Sequence, residues 1–128
     1  MLTTRTNETL LDGLYHEWLS NLAMYQQELE YLEQLVTRNS NRDIELDASI
    51  ELEALHELIE AQQKVIEGLT TEVLQKHEQL KVDHDLQEGV IPFSEVLKNN
   101  QLREKIRKAE HSVFYLKYHV HKLLSIAS

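Results

Sequence analysis

The longest periodic stretch of the chain is 43–87. Leu52, Ile59, Ile66, Val73 and Leu80 recur every seven residues, and Ala48, Leu55 and Leu69 fill the second apolar position of the same heptad. Gln62, Lys76 and Asp83 interrupt that second position with polar side chains. A heptad held in phase over this length predicts one long central helix with an apolar seam. Gly68 is the candidate break, and a turn there would give a four-helix alternative. The phase runs unshifted from Ile66 through Leu69 to Val73. A turn would reset it, so the expectation is a single helix.

Two further seams flank this one. Leu11, Tyr15, Trp18, Leu22, Tyr25, Leu29, Leu32 and Val36 alternate by fours and threes, and Leu14, Leu19 and Leu35 widen the stripe. They predict a first helix over about 9–37, preceded by a frayed polar segment. Leu102, Ile106, Ala109, Val113, Leu116, Val120, Leu123 and Ala127 repeat the alternation and predict a third helix over about 94–126. Between the first two lies Arg38-Asn39-Ser40-Asn41-Arg42. There Asn39 suits a C′ position, and Ser40 with Asp43 resembles a capping box at the start of the second helix. Gly89 suits the C′ position that ends the second helix. Pro92 or Ser94 suits the start of the third.

Three matching seams and short links predict an all-α fold, an antiparallel up-down-up three-helix bundle with coiled-coil-like packing, in a single domain over 1–128. Composition fits. Three glycines, one proline and a dominance of helix formers leave little turn or strand chemistry. Charge adds a pairing rule. Thirteen Asp or Glu against three Lys fall between Asp43 and Glu88, while seven Lys or Arg against three Glu follow Pro92. Such blocks attract side by side, though each exposed pair contributes only ~0–1 kcal/mol. The net charge of −9 disfavours nucleic acid as a partner. The basic residues Arg103, Lys105, Arg107 and Lys108, interrupted by Glu104, read as a solvated or intramolecularly paired face. No apolar run is long enough to suggest a membrane span, and no secretory pattern opens the chain, so a cytoplasmic location is the default expectation. Zero cysteines exclude disulfides, thiol nucleophiles and thiolate metal sites.

Two features exceed what a core requires. On the third helix His111, Phe114, Tyr118 and His121, with Tyr115 beside them, form a stripe away from the seam. Contiguous aromatics of this kind mark interaction surfaces more often than wet decoration of the core. A second copy of the chain is the favoured partner, with another helical protein or a segment of this chain as alternatives. Leu10, Met24 and Tyr31 lie at heptad spacing on the outer side of the first helix and can join such a surface.

The second feature is histidine. Glu53 and His56 form a Glu-x-x-His pair, Glu60 follows one turn later, and His77 is the candidate fourth ligand. A carboxylate di-iron bundle needs two Glu-x-x-His pairs and two further inward carboxylates, and the sequence offers one pair. A hemerythrin-like set starts at His56 and Glu60 but lacks the paired histidines that should follow. His56, His77 and His84 share one flanking stripe, where neutral-pH titration would make packing pH-sensitive; packing at the seam edge is the plainer expectation.

His16, Trp18, Leu22, Tyr25, Glu28 and Leu29, together with Val82, Asp83 and His84, resemble a group of short, acidic, uncharacterised helical proteins of Bacteroidetes-type bacteria. The resemblance covers about half the chain and leaves out the third helix. It implies a bacterial cytosolic protein and carries over no catalytic or binding residue. No nucleophile-and-base set and no phosphate loop is present. The expectation is therefore a non-enzymatic structural or interaction module without a cofactor, self-associating as a homodimer through Phe114, Tyr115, Tyr118, His111 and His121. The alternative is a metal- or small-ligand-binding bundle using Glu53, His56, Glu60 and His77.

Overall fold

The computed structural model describes residues 2–40, 46–87 and 93–127, with side-chain environments for 10–40, 46–80 and 96–125. All the described residues are helical. Helix α1 spans Leu2–Ser40, α2 Leu46–Gln87 and α3 Phe93–Ala127. Cross-helix pairs fix the topology. From Asp12–His77 to Glu33–His56 the α1 member advances while the α2 member retreats, so these helices are antiparallel. Tyr15–Asn99, Tyr25–Glu110 and Glu28–Lys117 advance together, so α1 and α3 run parallel. The result is the up-down-up bundle that the seams predict.

The core is the three seams brought together. Tyr15 through Val36 of the first seam, Leu52, Ile59, Ile66, Leu69 and Val73 of the second, and Leu102 through Leu123 of the third are all buried. Leu11, Leu14, Leu19, Leu35, Ala48, Leu55 and Leu80 pack partly buried against them. A core leucine of this kind contributes about 2–5 kcal/mol relative to alanine, so the seams hold the bundle together. The charge blocks meet where α2 and α3 pack, as Lys105–Glu72 at 3.5 Å pairs basic α3 with acidic α2. Helix α2 passes through Gly68 without interruption.

The helix ends differ from expectation. Helix α1 begins at Leu2, ahead of the expected start near residue 9, and it runs past 37 to Ser40. Asn39 and Ser40 are therefore inside α1. The Asn39 amide donates to the Leu35 carbonyl and the Ser40 hydroxyl to that of Thr37, both at 2.8 Å. The Ser40 bond satisfies a carbonyl of the last turn that has no partner further along the helix, and the expected capping box of Ser40 with Asp43 lies partly outside the described residues. Ser94 likewise lies within α3, which begins at Phe93. Asp43, Gly89 and Pro92 fall outside the described residues.

Candidate functional site

Helix α3 places its seam inward, so residues on its opposite side face water. Phe114, Tyr115 and Tyr118 are 56–61% exposed, and His111 and His121 are exposed beside them. Tyr115 packs against half-buried His119 with the rings tilted and their centroids 4.2 Å apart, and Tyr118 meets the same ring edge-on at 5.2 Å. Lys122 lies over the Tyr118 ring at 5.7 Å. The stripe continues onto neighbouring helices. Tyr31 of α1 is within 6.4 Å of the His121 ring. On the other flank, the Glu72–Lys105 pair sets the α2–α3 register. One and two heptads along, that register puts exposed Val65 level with Ser112 and exposed Leu58 level with His119. The aromatic face is thus a band across the bundle. Leu10 and Met24 are also exposed, on α1.

His56 and His77 of α2 occupy the edge that faces α1, while the side chain of His84 lies outside the described residues. His56 lies 4.0 Å from Glu33 of α1 and 3.5 Å from Glu60, one turn away on its own helix. Gln63 donates to the other oxygen of Glu33 at 2.8 Å. Three heptads further along α2, His77 lies 2.6 Å from Asp12. His16 joins it, with its Nε2 3.6 Å from the second Asp12 oxygen and its ring 4.8 Å from that of His77.

The four residues Glu53, His56, Glu60 and His77 are therefore not one constellation. His56 and His77 are roughly 31 Å apart along a straight helix. Glu53 is exposed and belongs to neither of the two groups whose ligand atoms converge among the described residues. Those groups are Glu33, His56 and Glu60, and Asp12, His16 and His77. Each takes an acid from α1, which reading α2 alone does not reveal. The detectable signal is the shared spacing, because Asp12 and Glu33 are three heptads apart on α1, as His56 and His77 are on α2.

Two buried polar contacts escaped the sequence reading. Asn99 is 7% exposed and accepts a 3.0 Å hydrogen bond from the Tyr15 hydroxyl. Tyr25 donates its hydroxyl proton to Glu110. Burial first, then the Glu110 hydrogen bond and charge, push the Tyr25 phenol up to about 12. Grooves along the bundle are shallow; one between α1 and α2 is lined by Leu19, Ala23, Gln26, Ile66 and Thr70. Among the described residues, no helix is long and apolar enough to cross a membrane. No family model matches the chain, and neither the curated proteins nor the solved structures contain a match to it.

Proposed function

We propose that this protein is a non-enzymatic interaction module that pairs with a second copy of itself through the α2–α3 face. The observation that carries the reading is the exposure of Phe114, Tyr115 and Tyr118 as one continuous surface, joined by Leu58 and Val65. Aromatic side chains give large contact area at small entropic cost, and they are enriched where proteins meet.

Charge selects the occupant. Arg107, Lys108 and Lys122 are exposed around the aromatic residues of α3, whereas Glu57 and Glu78 are exposed on the outer side of α2 and Glu72 stands at its α3-facing edge. Packing α3 on its own copy would place cations against cations. A twofold axis parallel to the bundle instead sets α3 of each chain against α2 of the other, twice, and repeats between chains the pairing that Lys105–Glu72 makes within one. That axis also keeps heights unchanged, so Leu58 and Val65 of one chain fall within the same stretch of roughly 10 Å as Tyr115 and Tyr118 of the other. Two adjacent helices present a face roughly 20 Å wide, and about 40 Å of its length supplies the ~800 Å² per partner typical of a stable interface.

The group Glu33, His56 and Glu60 supports a ligand-binding reading less well. It has one imidazole, and Glu33 already accepts from Gln63, so it reads as polar pairing that fixes the α1–α2 register. Sedimentation velocity on the wild type and Tyr118→Asp tests the proposal. A dimer that becomes a monomer, with helicity retained, is the expected result. An assembly state unchanged by the substitution would sink it.

A further inference from the structure

We propose that Asp12, His16 and His77 form a binding site for a divalent transition-metal cation of the zinc, nickel and cobalt class. Their ligand atoms all lie within 4.8 Å of one another. Asp12 and His16 are one turn apart on α1, so their side chains leave the helix on the same side. His77 arrives from α2. Metal–ligand bonds of about 2.0–2.2 Å place neighbouring donors roughly 3.0–3.6 Å apart. The observed separations, 2.6 Å for His77–Asp12 and 3.6 Å for His16–Asp12, straddle that range. A cation entering between them replaces the direct His77–Asp12 hydrogen bond, and small side-chain rotations provide the room.

The surroundings fit. The His77 side chain is only 12% exposed and packs edge-on to Tyr15, so one imidazole is held in place. The side chains of Asp12 and His16 are half exposed or more, so the cation has an open approach and keeps positions for water. Two imidazoles and a carboxylate suit borderline divalent ions, while calcium and magnesium require mostly oxygen donors. The group Glu33, His56 and Glu60 sits in the same inter-helix register with one imidazole in place of two, and so serves as an internal control. A cation at Asp12, His16 and His77 ties α1 to α2 and stabilises the folded chain through binding.

The test is zinc titration of the chelator-treated full chain, followed by calorimetry and by thermal melting, with cobalt absorption reporting imidazole coordination. The wild type should bind one equivalent and melt at a higher temperature with zinc. His16→Ala removes an exposed ligand, and Asp12→Asn keeps a group able to hydrogen-bond His77; each should weaken zinc roughly tenfold or more. His56→Ala should bind as the wild type does. The proposal is overturned if the wild type takes up no zinc, if His16→Ala and Asp12→Asn bind undiminished, or if His56→Ala abolishes binding. None of these outcomes depends on whether the chain dimerises.

Discussion

Tyr25 and Tyr15 each carry a hydroxyl into the core, and the two have different consequences. The Tyr25 phenol keeps its proton to about 12 in the folded chain, against 10.0 for an unperturbed tyrosine. The unfolded chain therefore ionises first. The resulting stabilisation is complete below pH 10 and is lost as pH rises toward 12. Thermal melts across that window should fall more steeply for the wild type than for Tyr25→Phe; parallel curves would mean that the folded chain does not raise the phenol at all. Tyr15 satisfies buried Asn99. Tyr15→Phe leaves that acceptor without its donor and should cost about 1–2 kcal/mol in urea unfolding. Adding Asn99→Leu should recover much of the loss, because removing both partners leaves nothing unpaired. Simple additivity of the two substitutions would contradict the pairing. Asn99 was within reach of the sequence, since it extends the third seam three residues back from Leu102. A polar residue at that position reads as a seam end until its partner on another helix is known.

At the scale of the helix, apolar spacing carried most of the information. Heptads in phase across Gly68 foretold an unbroken α2, as the structure has it. A methyl group added at Gly68 would meet nothing within 4 Å. Gly68→Ala should therefore raise stability by about 1 kcal/mol, the ordinary helical difference between the two residues. A loss in chemical denaturation would show instead that the position needs glycine. The ends of helices were less legible. Ser40 has the same hydroxyl whether it caps the helix behind it or the one ahead, and local sequence does not decide between them. Cross-helix chemistry was the least legible of all. His56 and His77 are visible in the sequence, but Glu33, Asp12 and His16 join them only once the antiparallel register of α1 and α2 is fixed.

For the whole molecule, the distribution of charge and exposed aromatic surface points outward from the bundle. Acidic α2 and basic α3 attract each other within the chain, and the proposed dimer sets the same two helices against each other between copies. The fold needs none of Phe114, Tyr115, Tyr118, Leu58 or Val65 for its core. That surplus is the basis for the claim of self-association. Native mass spectrometry of the untagged protein as purified tests it most directly, beside Tyr115→Asp. The account predicts a species of twice the 15.0 kDa chain mass for the wild type and a single chain for the variant. A single-chain wild type, or a dimer indifferent to Tyr115→Asp, would contradict it.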